Sequence, residues 1–376
     1  MNWKVPLFKI YWDESDVSSV KSTIERGMNW AIGPEVKAFE LKIAEYSKTH
    51  YCVVFNSGTS ALHAQLLAHG ISQGDEVIVP SFTFIATANA PLFVDAQPVF
   101  ADIEAETCGL DPDDVEEKIT EKTRAIIPVH FGGCPCKIRE IKEIAEDHHL
   151  LLIEDAAEAF GAHIEGIRMG TVGNSAMFSF CQNKIITTGD GGAVVTDMKD
   201  IYERLKLIRS HGRAENTDYF SSAEYMDYIQ LGYNFRMSNI TASLGLSQID
   251  KVDMIIQRRR ENAAYLTSKL ENIVQVEPLH VPQGYFHVYQ MYTITAEKRD
   301  ELLQHLVHNG IMAKVYFHPV HKSHFYEKQL RYKETLQVTE MMSSQVLTLP
   351  MYPHLTEAEM EVIATTIGEF YGGSKS

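Results

Sequence analysis

Positive charge is scarce in this chain: 34 lysines and arginines stand against 50 aspartates and glutamates, a formal net charge of −16 over 376 residues. The acidity is spread along the sequence rather than gathered in a tail, which argues against nucleic acid or an anionic membrane as a partner. An anionic ligand would need a local positive field. Cysteine is scarce too. Five cysteines, an odd number at irregular spacing, make no disulfide framework and point to a reducing, cytoplasmic setting. Cys134-Pro135-Cys136 is the only close pair, and neither Cys-x-x-Cys nor His-Glu-x-x-His occurs, so the thiols read as loop or core residues and no metal is expected. Nowhere do 18 apolar residues run together, and the first ten residues lack the apolar stretch of a signal peptide; no membrane partner is expected. Without a secretory route, the sequon Asn239-Ile240-Thr241 reads as chance. Gly-x-Gly-x-x-Gly and Walker sequences are also missing, which weakens dinucleotide and P-loop functions.

What is present is ordinary globular material, 45% apolar and 22% charged, long enough for two domains at roughly 150 residues each. Short β-branched runs at 51–55, 76–80, 98–102, 125–130, 150–154, 176–180 and 193–196 alternate with helical patterns such as 60–69 and 138–148. That alternation predicts an α/β fold with a mostly parallel sheet covered by helices on both faces. Ligands of such sheets sit beyond the carboxyl ends of the strands. Residues 13–27 read as a helix capped by Asp13. Residues 238–270 contain no proline and read as one long connecting helix, followed by a smaller α/β domain of mixed topology. In that domain strands are expected near 289–295 and 312–316, and helices near 299–309 and 357–370.

Three constellations carry chemistry. Asn56-Ser57-Gly58-Thr59-Ser60 lies where a strand hands over to a helix, with a glycine that permits close backbone approach. It suits a phosphate, and it equally suits a helix cap. Leu151 to Ala159 is a buried-looking strand ending in carboxylates; there Asp155 either holds a cationic ring nitrogen or caps the next helix. About thirty residues on, Ser179-Phe180-Cys181-Gln182-Asn183-Lys184 places a lysine in apolar, hydroxylated surroundings. A desolvated lysine becomes a usable amine nucleophile; the bland alternative is an exposed loop lysine.

Phosphate site, strand-end aspartate and sheltered lysine, in that order, are the parts pyridoxal phosphate requires. From about residue 29 onward the chain resembles the DegT/DnrJ/EryC1/StrS family of sugar aminotransferases, of pyridoxal-phosphate fold type I. The matching blocks are 56–62, 74–84, 154–159, 179–192, His211-Gly212, 232–239 and 349–353. The resemblance implies an aspartate-aminotransferase-like fold, with a large cofactor-binding domain at 1–250 and a small C-terminal domain at 251–376. It implies that Lys184 is the Schiff-base lysine and Asp155 the partner of the pyridine nitrogen. Ser179, Gly58 and the amides of Thr59 and Ser60 would take the phosphate, and Phe84 would stack on the cofactor. Glu158 stands where Gln or His is frequent, at the cofactor edge, although a carboxylate accepts but does not donate. Asp95 replaces a frequent turn glycine, tolerable because Asp visits left-handed geometry. Asn234 would reach the phosphate from a neighbouring subunit, implying a homodimer with sites at the interface.

The implied activity is transfer of an amino group, with glutamate as donor, to a keto group of a nucleotide-linked deoxysugar. Residues 29–36, 86–90 and 235–239 look more like the branch that aminates C4 than C3. Arg236 would draw in anionic substrate groups, unless it is a structural ion-pair residue, and His318 would help orient the sugar, unless it is a surface or core histidine. A sugar 3-dehydratase of the same fold carries histidine at the lysine position, so Lys184 speaks against it. A cyclitol or other non-nucleotide ketone as acceptor, and a catalytically silent regulatory module, remain the rival functions.

Overall fold

The computed structural model describes residues 3–214 and 222–372. Runs such as Val77-Ile78-Val79, fully buried on both sides, cannot serve a sheet with one wet face, and they build a covered central one. Its strands are β1 (Tyr51–Phe55), β2 (Glu76–Pro80), β3 (Gln97–Ala101), β4 (Thr123–Ile126), β5 (Leu151–Asp155), β8 (Ser175–Ser179) and β9 (Gly192–Thr196), while β6 (His163–Ile164) and β7 (Ile167–Arg168) form a hairpin beside it. The order is β1-β9-β8-β5-β4-β2-β3. Every pairing is parallel except those of β9, which runs against both β1 and β8. Consequently Phe55, Pro80, Asp155 and Ser179 end their strands at one edge of the sheet.

Around the sheet lie α1 (Glu14–Glu25), α2 (Pro34–Ser47), α3 (Gly58–His69), α4 (Ile85–Leu92), α5 (Pro112–Glu117), α6 (Ile138–Asp147), α7 (Lys199–Arg209) and α8 (Asn239–Ile249). Two large buried clusters separate the faces: Leu152, Ala176 and Val195 belong to one, Ile153, Met177 and Val194 to the other. The small domain has β10 (Val276–Pro278), β12 (Tyr292–Ala296) and β13 (Val346–Leu349) in an antiparallel sheet, while β11 (Tyr285–Phe286) pairs back to β6. Helices α9 (Val252–Leu270), α10 (Arg299–His308), α11 (Gln337–Gln345) and α12 (Glu357–Gly372) complete it. No helix among the described residues is long and apolar enough to cross a membrane.

Four expectations change. The helix expected over 238–270 is two helices, broken at Asp250-Lys251, where Lys251 pairs with Asp13 at 2.7 Å and buried Asp16 at 2.8 Å. Those two aspartates form the capping box at the start of α1, so the break ties two helices together. The strand expected over 125–130 ends at Ile126, since Pro128 has no N–H for the ladder. The segment near 312–316 makes isolated bridges, Ile311 to Val5 and Lys314 to Thr348, rather than a strand. Finally, the N-terminal segment does not follow the large domain throughout: Val5 pairs with Ile311, and Leu7 O accepts from Met351 N at 3.1 Å. Asp95 has φ 60°, the left-handed geometry foreseen for it.

Candidate active site

At the carboxyl edge, β1 turns directly into α3. Ser57 is the N-cap, accepting the Ser60 amide on Oγ at 3.1 Å, while Ser60 Oγ donates to Asn56 Oδ1 at 2.6 Å. The capping expectation is therefore met by Ser57. The Ser60 amide is taken by the cap and Ser60 is buried away from the cavity, whereas the amides of Gly58 and Thr59 have no acceptor among the described residues. A Cβ on Gly58 would lie 3.2 Å from Ser179 Cβ and 3.3 Å from its Oγ. Any larger residue would push against the end of β8, and the close approach that glycine allows groups two free amides with a hydroxyl.

Asp155, the last residue of β5, is 4% exposed. Oδ2 accepts from Thr87 Oγ1 at 2.7 Å and Oδ1 from Ala157 N at 3.1 Å. No lysine, arginine or histidine among the described residues pairs with it. Burial pushes its pKa up, and the bonds from Thr87 and Ala157 only partly oppose that. A buried carboxylate in this condition is a receptor for a cation.

Lys184 lies across the same cavity, in a turn closed by its amide to Cys181 O at 2.9 Å, with its side chain 14% exposed. It is a loop lysine, but a sheltered rather than an exposed one. Its Nζ is 3.4 Å from Glu158 Oε1, and Glu158 Oε2 accepts from Gly132 N at 2.9 Å. Phe84, the N-cap residue of α4, is 62% exposed and lines the opening. The cavity measures about 370 Å³. Lys314, Tyr316 and Phe317 of the small domain close its other side.

The family model for the DegT/DnrJ/EryC1/StrS aminotransferases matches residues 11–368. The chain belongs to that family. It is 40% identical over 342 residues to a GDP-perosamine synthase of Escherichia coli O157:H7, covering 90% of this chain and 91% of that one. Helicobacter pylori PseC, an aminotransferase involved in the biosynthesis of pseudoaminic acid, superposes with TM-score 0.92 at 27% identity, covering 98% of this chain and 99% of that one. The sugar aminotransferase Spr1654 of Streptococcus pneumoniae, assigned that role as putative and solved in its PLP form, gives TM-score 0.90 at 26% identity over the whole of both chains. This aminotransferase is a pyridoxal-phosphate-dependent enzyme with the fold of its relatives, and the residue set fits the cofactor: two unengaged amides beside a hydroxyl for phosphate, a buried unpaired carboxylate for a ring cation, and an amine lining the same cavity.

Three expected residues stand apart. Asn234 is exposed and outside the cavity of its own chain; its carbonyl accepts from Asn56 Nδ2 at 3.4 Å. Arg236 does not line the cavity, and its guanidinium donates to Ser210 Oγ at 3.2 Å. His318 is exposed and also off the wall. Nearby His321 is the core histidine: Ser81 Oγ lies 2.6 Å from its Nδ1 and Glu340 Oε1 3.3 Å from its Nε2. At 0% and 1% exposure the serine and histidine reach no substrate; they staple the small domain to the loop after β2. Thr87, Lys314, Tyr316 and Phe317 were not foreseen. Thr87 carried a faint signal, one helical turn after Thr83, to which it bonds at 2.9 Å. The other three are brought in by domain packing, which leaves no local pattern.

Proposed function

We propose that this aminotransferase moves an amino group from glutamate to the C4 keto carbon of a nucleotide-linked deoxysugar, as a homodimer. The observation that carries the proposal is the pairing, across one cavity, of a buried carboxylate without a cation and a lysine fixed by Glu158. The relative named GDP-perosamine synthase supports a sugar nucleotide as acceptor. Pyridoxal phosphate, when bound, supplies an electron sink for bonds at the carbon bearing nitrogen. Asp155 would hold the ring nitrogen in its protonated form, because neutralising that cation would leave a lone buried charge. Gly58 and Thr59 amides with Ser179 Oγ would take the phosphate, aided by the positive end of α3. Phe84 would cover one face of the ring. Lys184 would take up and return a proton at its Nζ, with Glu158, anchored on Gly132, keeping the amine aimed into the cavity.

Asn234 would serve a second subunit. Tyr225, Tyr228, Ile229 and Leu231, exposed in the segment leading to it, support a covered surface there, and sedimentation should show a dimer; a fully active monomer would refute it. The substrate is tested by offering 4-keto and 3-keto sugars linked to GDP, UDP or dTDP, with glutamate as donor. Product NMR should place nitrogen on C4. Nitrogen on C3, or amination of a cyclitol ketone alone, would overturn the assignment.

A further inference from the structure

Two cationic side chains line the cavity, Lys184 and Lys314, and they are in different states. Lys184 is engaged by Glu158. Lys314 has no carboxylate partner among the described residues; its Nζ rests 4.7 Å from the centre of the Tyr316 ring. In a chain of net charge −16, a lysine facing a cavity whose walls also carry Asp155, Glu158 and Asp190, yet bound to none of them, is an uncompensated positive charge. Its backbone is fixed: Lys314 N donates to Thr348 O at 3.1 Å and Thr348 N returns a bond to Lys314 O at 2.8 Å. The side chain is exposed, so it can swing from the ring to a ligand.

We infer that Lys314 receives an anionic group of the substrate at the cavity mouth, as a specificity residue; this rests on the transaminase function proposed above. The chemistry it recognises is a carboxylate or phosphate oxygen. That oxygen comes either from the α-carboxylate of the amino donor or from the diphosphate of the sugar nucleotide. The donor arrives first and alone, so the two sources separate cleanly.

In the holoenzyme, the cofactor's absorbance change on adding glutamate without sugar reads the donor arm, and the reverse change on adding the keto sugar nucleotide reads the acceptor arm. Lys314→Ala should raise the half-saturating concentration about 10–100-fold in one arm, the range for losing a charge-assisted bond, with the limiting rate within about twofold. Lys314→Glu should be worse and Lys314→Arg close to wild type. Added salt should weaken the wild-type constant and leave that of the alanine variant unmoved. A shift in the donor arm assigns the carboxylate, and a shift in the acceptor arm the diphosphate. A wild type that turns over while Lys314→Ala matches it in both arms overturns this inference alone. A wild type silent in both arms overturns the proposed donor and acceptor and this inference with them.

Discussion

Glu154 and Asp155 are consecutive residues of one strand, so their side chains leave opposite faces of the sheet. Both are buried, at 0% and 4% exposure, yet their surroundings differ. Glu154 is saturated: Oε1 accepts from Val172 N at 2.8 Å and Gly173 N at 2.7 Å, Oε2 from Gly170 N at 2.7 Å, with His130 Nε2 at 3.1 Å. The ring's other nitrogen accepts from Cys136 N at 3.2 Å, so Nε2 carries the proton. Burial alone would raise the Glu154 pKa, but His130 and the amides outweigh it and hold the carboxyl below its usual range. Asp155 has two donors, and its pKa goes up. One carboxylate is spent on holding the 168–174 and 130–136 segments together; its neighbour is left wanting a cation. What separates a saturated acid from one open to a cation here is the count of donors facing it, not depth of burial.

The comparison can be broken from either face. The largest effect should come on Asp155's face, from Lys184→Ala, which removes the amine the chemistry needs and should lower turnover on the order of 10⁶-fold, as loss of a nucleophile does elsewhere. Borohydride reduction of the wild type followed by peptide mapping should find the pyridoxyl group on Lys184, and an adduct on another lysine would sink the assignment. On the other face, Glu154→Gln should cost on the order of 3 kcal/mol of stability, because an NH2 group replaces an oxygen that accepts from buried donors, and bonds to a charged group are worth about 1.5–3 kcal/mol each. Denaturant unfolding measures this, and activity per folded molecule should hold. Asp155→Asn should reverse that pattern. Turnover should fall by about 3–4 kcal/mol of barrier, while the cofactor-free chain unfolds no earlier than wild type. Near-normal turnover with cofactor bound would remove Asp155 from the chemistry. Thr87→Val should weaken cofactor retention by about 1–2 kcal/mol, the worth of one bond to a charged group; unchanged cofactor affinity would show that the Asp155 orientation does not depend on it.

The smallest effect is in pH. Glu154, depressed below its ordinary 4.5, contributes stability that is present above that value and lost as pH falls through its folded pKa. Asp155, raised above 3.8, contributes stability present below that value and lost as pH rises through its folded pKa. Melting curves of the cofactor-free variants should therefore diverge from wild type in opposite senses. The Glu154→Gln deficit shrinks toward low pH, and any Asp155→Asn gain appears as pH rises. Parallel curves would show that the two acids share one environment.

Much of the sheet was legible because its strands are apolar on both faces and punctuated by turns; β1 and β2 fall where the runs predict them. The inner wall of the site was legible for a similar reason, since Asp155, Ser179 and Lys184 sit at strand ends or one turn beyond. The helix break at Lys251 has no glycine or proline to announce it, and the aspartates that Lys251 meets there lie more than 230 residues away in sequence. The roles within 57–60 were not legible: in a run of hydroxyls, sequence does not say which one caps and which amide stays open. The outer wall of Lys314, Tyr316 and Phe317 arises from domain packing, and Asn234 lies outside the cavity of its own chain.

The pairing of Val5 and Leu7 with the small domain has a consequence in time. These residues leave the ribosome some 300 residues before their partners Ile311 and Met351, at roughly 5–20 residues per second. For the better part of a minute or less, the sheet of the large domain can assemble while this segment waits unpaired. The small domain is thus finished after that sheet, closed by a strap that was born long before it.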